Sequence, residues 1–286
     1  MATAEKPTKV EQKSDVILKY LRPKKKFPSV WCAGCGNGVV QSAIIRAIDK
    51  LGLSKDEIVM VSGIGCTSRM PVYMDFNSLH TTHGRALAFA TGVKFARPDM
   101  KVIVVTGDGD ALAIGGNHFI HACRRNIDIT AILINNSIYG MTGGQGSPTT
   151  PGGAFSTTTP YGNVEKHFDP CSLAKAAGAT FVARGTVYHA AQLEKAIIEG
   201  ISHKGFSLIE AVSNCHTYFG RLNRRGDAVA MVKNFKEVGV TTAKAKTMNE
   251  EELKGKIVIG TLHEDMVKTE FCDEYQKVIN ARQGGK

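Results

Sequence analysis

Four short apolar runs, bounded by turn formers and interleaved with helix-length stretches, restrict this chain to a narrow set of folds. The runs are residues 57–63 (with Ile58, Val59, Met60 and Val61 at the centre), 101–106, 129–134 and 207–212. Their apolar positions are consecutive rather than alternate, as in strands covered on both faces. Residues 38–51, 83–95, 117–125 and 188–203 read as helices. Such alternation predicts an α/β fold, a parallel sheet with helices on both faces. Residues 142–163 are dominated by Gly, Ser, Thr and Pro, and predict a long loop of the kind that carries function. Beyond Arg225 the pattern weakens to a helix (227–239), a short strand (256–260) and a last helix (266–282). The expected organisation is a basic N-terminal arm (1–30), an α/β domain (31–225) and a C-terminal extension (226–286) packing on the domain or on a partner. No internal repeat and no clear linker interrupts it.

A length of 286 residues suffices for a single α/β core, and 43% hydrophobic with 22% charged residues is ordinary for a soluble globular protein. No apolar run is long enough to span a membrane, and the N-terminal stretch is Lys-rich with no apolar signal segment. A cytoplasmic location is expected, where cysteines stay reduced. Part of the net charge of +10 sits at Arg22, Lys24, Lys25 and Lys26. These bases are neither interleaved with aromatics nor part of a nucleic-acid motif, which argues against nucleic acid as partner. They form either a solvated arm or a surface for an acidic protein partner.

Two constellations carry chemistry. Gly107-Asp108-Gly109-Asp110 follows directly on the 101–106 run, where open α/β sheets bind ligands. The glycines let the backbone approach a phosphate, and Asp108 offers a hard oxygen suited to Mg²⁺. Asn136, at the end of the next run, offers a second oxygen, and the carbonyl of Ile138 a third. Residues 139–145 then supply backbone N–H donors for a diphosphate. A magnesium–diphosphate site of thiamine diphosphate is the expected use; the bland alternative is two ordinary turns after two strands. The second constellation is Cys32, Cys35, Cys66 and Cys215. One CxxC and two isolated cysteines, each following a run, fit a cubane cluster better than the paired knuckles of structural zinc, although zinc remains the rival. Cys123, Cys171 and Cys272 read as small buried hydrophobes.

Taken together, Trp31-Cys32-Ala33-Gly34-Cys35-Gly36, Gly63-Ile64-Gly65-Cys66, His83-Gly84-Arg85-Ala86, Gly107-Asp108-Gly109-Asp110 and Tyr139-Gly140-Met141-Thr142-Gly143-Gly144-Gln145 resemble the β subunits of 2-oxoacid:ferredoxin oxidoreductases, close to the 2-oxoglutarate branch. The resemblance implies a [4Fe–4S] cluster on Cys32, Cys35, Cys66 and Cys215. It implies Mg²⁺ on Asp108, Asn136 and the Ile138 carbonyl. Thiamine diphosphate contacts carry over to Ile64, Gly65, Cys66, Thr67, Gly107, Asp108, Gly109, Asp110, Asn136, Ile138, Tyr139, Gly140 and Thr142. The implied reaction is CoA-dependent oxidative decarboxylation of a 2-oxoacid to acyl-CoA, with electrons passed to ferredoxin, and its reversal as reductive carboxylation. The glutamate that thiamine enzymes need at the aminopyrimidine belongs to a second α/β domain, for which this chain has no room. The family places it on an α subunit, so an αβ or (αβ)₂ assembly is expected. For the substrate, Arg69 could grip a distal carboxylate, as against being an interface arginine. His83 is a polar contact beside the cofactor or a satisfied core histidine. Met141 stands where pyruvate enzymes of the family resemble each other in having Asn, which weakens a pyruvate assignment. A pyruvate or broad-specificity β subunit, a cluster-free thiamine lyase and a zinc-binding interaction module are the remaining alternatives.

Overall fold

The computed structural model describes residues 16–24 and 28–283. Lys25, Lys26 and residues 1–15 of the basic arm lie outside the described residues. An eight-stranded sheet runs in the order β2-β1-β3-β4-β8-β7-β10-β9. Its strands are β1 (Ile58–Ser62), β2 (Asn77–His80), β3 (Lys101–Gly107), β4 (Thr130–Asn135), β7 (Phe181–Thr186), β8 (Ser207–Val212), β9 (Gly239–Thr241) and β10 (Ile257–Glu264). A separate two-stranded ribbon pairs β5 (Ile138–Tyr139) with β6 (Gln145–Gly146). Pairing is parallel from β2 through β7, and β10 joins β7 antiparallel.

The continuous apolar runs follow from two cores. Ile103, Val105, Ile132, Ile134 and Ile209 face one, which α1 (Asn37–Lys50) and α5 (Ala190–Ser202) cover. Val102, Val104, Ala131, Leu133 and Leu208 face the other, under α2 (Ala86–Ala96), α3 (Gly116–Arg125) and α4 (Pro170–Ala177). Because strand side chains alternate in direction, a strand buried on both faces has no polar position to show.

Several elements depart from the expected pattern. The helix expected over 83–95 begins at Ala86, because His83 and Gly84 (φ +72°) form a turn that reaches the site. Strand β7 escaped notice because Arg184 and Gly185 interrupt it; Arg184 is nevertheless half-buried, its charge answered by Glu210 on β8. Helix α4 has the signature of a short capped helix: Asp169 accepts from the Ser172 N–H, Pro170 opens it, and Gly178 closes it in the left-handed region. Beyond residue 226, α6 (Ala228–Val238) is followed by β9 and β10, which extend the sheet, and α7 (Phe271–Gln283) sets Phe271 and Tyr275 against Phe95 of α2. Within the stretch read as an arm, Tyr20 and Leu21 are buried core residues, and Arg22 Nε donates to the Met74 carbonyl. No helix among the described residues is long and apolar enough to cross a membrane.

Register fixes where the loops meet. Ser62 is level with Val105, Gly107 with Ile134, and Asn135 with Val212. The segments leaving β1, β3, β4 and β8 therefore converge on one edge, the carboxyl edge of the parallel strands.

Candidate active site at the carboxyl edge of the sheet

A cavity of about 110 Å³ opens there, lined by residues 64–67, His83, residues 107–110, Asn136 and residues 138–142. Every residue expected to touch the diphosphate cofactor lines it, as do His83 and Met141. Arg69 does not; it is half-buried on the helical turn Thr67–Val72, with no ion-pair partner among the described residues.

Asp108 is 3% exposed. Its Oδ2 accepts from Ser147 Oγ at 2.6 Å and Thr149 Oγ1 at 2.5 Å. Burial pushes the carboxyl above its usual range, against the pull of these hydroxyls and of the backbone N–H groups of Asp108 and Gly109. No lysine or arginine among the described residues compensates it. A buried carboxylate held by neutral donors alone is a group that a cation would stabilise. Asn136 begins the turn after β4, and its Oδ1 accepts from the Ile138 N–H at 3.2 Å. Between them Ser137 takes a left-handed φ of 60°, which turns the backbone back over the cavity. Asp108, Asn136 and the Ile138 carbonyl could thus hold one Mg²⁺, a set of hard oxygens that suits it.

Asp110 organises the other wall. Its Oδ1 accepts from His83 Nδ1 (2.6 Å), the Gly84 N–H (2.7 Å) and the Ile64 N–H (3.2 Å), while Oδ2 accepts from Thr106 Oγ1 (2.8 Å). One carboxylate thereby joins the segments after β1, β2 and β3. Gly63 is required beside it, since a Cβ there would run into the Asp110 carboxylate. Tyr139 OH donates to the Gly109 carbonyl at 3.1 Å and closes the loop after β4 onto the Gly-Asp-Gly turn.

The four cysteines gather beyond Cys66. Cys32 is exposed and Cys35, Cys66 and Cys215 are half-buried, whereas Cys123, Cys171 and Cys272 are buried elsewhere. Trp31 Nε1 donates to the Cys66 carbonyl at 2.7 Å, and Asn214 Nδ2 to the Gly34 carbonyl at 3.1 Å, which ties the CxxC turn to the segments bearing the other two. Burial, with the neighbouring Cys35, Cys215 and Cys32, pushes the Cys66 thiol up to about 11. Among the described residues, no three His, Cys, Asp or Glu side chains converge as ligands of one ion. Gly140 belongs to both sites: it lines the cavity, and a Cβ on it would lie 3.4 Å from Cys66 Sγ and 3.6 Å from Cys215 Sγ.

Ser147 and Thr149 were not foreseen, and Asn135, although half of the Asn135-Asn136 pair, was given no contact of its own. The loop that carries the first two is conspicuous, but its many hydroxyls look alike in sequence.

These features define a thiamine-dependent class: the family described as thiamine pyrophosphate enzyme, C-terminal TPP binding domain, matches residues 63–211. The chain is 55% identical over 262 residues to the 2-oxoglutarate synthase subunit KorB of Methanocaldococcus jannaschii, covering 92% of this chain and 96% of that one. It is 51% identical over 259 residues to the subunit of that name from Archaeoglobus fulgidus, covering 91% and 92%. The chain belongs to this family of 2-oxoglutarate synthase KorB subunits. Among solved structures it is similar to a 2-oxoglutarate:ferredoxin oxidoreductase from Magnetococcus marinus with 2-oxoglutarate, coenzyme A and succinyl-CoA bound, with a TM-score of 0.82, 32% identity and coverage of 94% and 91%.

Proposed function

We propose that this chain is the β subunit of a cytoplasmic 2-oxoglutarate:ferredoxin oxidoreductase. The reaction is CoA-dependent oxidative decarboxylation of 2-oxoglutarate to succinyl-CoA and CO₂, reversible as reductive carboxylation. The observation that carries the reading is the shared wall of Cys66 and Gly140, which sets a cofactor cavity against a four-cysteine cage. When bound, thiamine diphosphate supplies the electron sink for carbon–carbon cleavage, and a [4Fe–4S] cluster the one-electron relay.

The chain's own residues bind and orient. Asp108, Asn136 and the Ile138 carbonyl would hold Mg²⁺, which would supply positive charge for the diphosphate. Residues 64–67 and 139–142 shape the cavity around it, with Ile64 and Met141 exposed at its mouth. His83, oriented through Nδ1 by Asp110, presents its other nitrogen as a polar contact. Cys32, Cys35, Cys66 and Cys215 hold the cluster; one CxxC with two isolated cysteines favours a cubane over the paired knuckles of structural zinc. An α subunit brings the pyrimidine-side glutamate, in an αβ or (αβ)₂ assembly, and ferredoxin takes the electrons.

Anaerobic purification of this chain alone and with its α subunit tests the reading. The chain alone is expected to contain iron and sulfide but not to reduce viologen with any 2-oxoacid; the pair is expected to do both. Turnover by the single chain, or zinc in place of iron, would overturn it. A second test concerns substrate choice. Arg69, three residues past Cys66, has no carboxylate of its own to pair with among the described residues. Arg69→Met is expected to lower kcat/KM for 2-oxoglutarate about 10- to 150-fold more than for 2-oxobutyrate, the worth of a charge-assisted hydrogen bond. Equal losses would move the carboxylate contact to the α subunit.

A further inference from the structure

Behind the cavity a chain of buried polar groups leads away from the proposed magnesium ligands. Glu210, 2% exposed on β8, stands level with Arg184 on β7. Its Oε2 accepts from Arg184 Nε at 2.6 Å and lies 3.2 Å from the Cys171 thiol. Its Oε1 accepts from Asn135 Nδ2 at 2.8 Å. Arg184 Nη2 also donates to Asp169, the cap of α4, at 2.7 Å.

The orientation of Asn135 follows from this. A carboxylate can only accept, so the amide nitrogen must face Glu210 and the amide oxygen must face the cavity side. There Oδ1 accepts from the Ser137 N–H at 3.1 Å and lies 2.9 Å from Thr149 Oγ1. Both partners matter. Ser137 is the left-handed residue between Asn136 and Ile138, and Thr149 is a hydroxyl donor to Asp108. A left-handed conformation is unfavourable for serine and persists only where its surroundings hold it. Here the Asn135 amide oxygen holds its N–H, and Thr150 Oγ1 donates to its carbonyl at 2.7 Å.

The structure assigns to Glu210 the role of a positioning residue for the magnesium site, acting through the amide of Asn135 on both arms of the ligand set. One arm is Asp108, reached through the single hydroxyl hydrogen of Thr149, which is shared between Asp108 Oδ2 and Asn135 Oδ1. The other is the Asn136–Ile138 turn, reached through Ser137. Arg184, which can only donate, takes Oε2 and leaves Oε1 to accept from Asn135, and so fixes which way the amide points. A buried Arg–Glu pair contributes little net stability against an apolar replacement, so stability alone does not account for it. The inference rests on the magnesium–diphosphate reading given above.

Glu210→Gln separates orientation from shape. The new side chain is expected to turn its oxygen to Arg184 and its NH₂ to Asn135. The Asn135 amide then inverts, and the Ser137 N–H loses its acceptor. The αβ complex, stripped of Mg²⁺ and thiamine diphosphate, is titrated with Mg²⁺–thiamine diphosphate by calorimetry while cluster absorbance is followed. Glu210→Gln and Asn135→Ala are each expected to weaken binding about 10- to 100-fold, the usual effect of losing an outer partner of a metal ligand. The double variant should bind no more weakly than the worse single one, because both changes break one path. Cluster absorbance should be unchanged, and saturating Mg²⁺–thiamine diphosphate should restore kcat. Asn135→Ala leaves the Arg184–Glu210 pair intact, so it decides the matter if Glu210→Gln does not fold. Wild-type affinity in Asn135→Ala, or losses that add in the double variant, would overturn the assignment. Asp108→Ala run alongside distinguishes the two failures: if it too binds normally, the magnesium site itself is wrong.

Discussion

Asp108→Ala is expected to abolish thiamine diphosphate binding, by more than about 100-fold, because losing a direct ligand exceeds the roughly 10- to 100-fold cost of losing an outer partner. Calorimetry with and without Mg²⁺ measures it, and unchanged affinity would remove Asp108 from the site. The fold itself should not suffer. Burial lifts the folded carboxyl above its ordinary value of 3.8. An acid raised on folding costs stability as pH climbs from its unfolded to its folded pKa, and that cost is complete above the latter. At any pH above the ordinary value the alanine variant is relieved of it. The freed hydroxyls still have each other, Ser147 and Thr149 lying 3.1 Å apart. The cofactor-free variant should therefore melt no lower than the cofactor-free wild type, and lose only the rise that cofactor gives. A large drop in the cofactor-free melting temperature would make Asp108 a structural residue instead.

Cys215→Ala should remove the second of the two centres. Three thiolates remain, and the brown absorbance and ferredoxin-linked turnover are expected to vanish together. Cys272→Ala is the control. That thiol is 7% exposed, its pKa is pushed up to about 12 by burial and by Glu270, and it lies against the second core rather than the cage. Its loss should change melting slightly and iron content not at all. Full iron content in Cys215→Ala would end the ligand assignment.

What could be read in the sequence, and what could not, divides along physical lines. That Asp108, Asn136 and Cys66 would meet was legible because each follows a parallel strand, and all three line the cavity at the sheet's carboxyl edge. The four inner strands were legible because burial on both faces leaves mostly apolar residues, with the buried, paired Glu210 a charged exception. Strand β7 was not, since Arg184 is tolerated there only by virtue of Glu210, a residue 26 positions later. Strand β2, with the polar sequence NSLH, lies at the edge of the sheet and is largely exposed. Thr149 reaches Asp108 across 41 positions, and nothing local distinguishes it from the threonines around it. Arg69 shows the reverse: its place beside Cys66 in sequence did not bring it into the cavity lining.

The thin partition at Gly140 has a consequence for how this kind of chain can be altered. A methyl group there would rest against two sulfurs, and anything longer would enter the space between them. Neither compartment can then be remodelled from that side without disturbing its neighbour. A lineage that keeps its cluster is bound to keep the partition bare, whereas one that has shed the cluster is released from that demand. Sequences of this fold lacking the four cysteines are accordingly expected to carry side chains at the position of Gly140, and those retaining them to carry none.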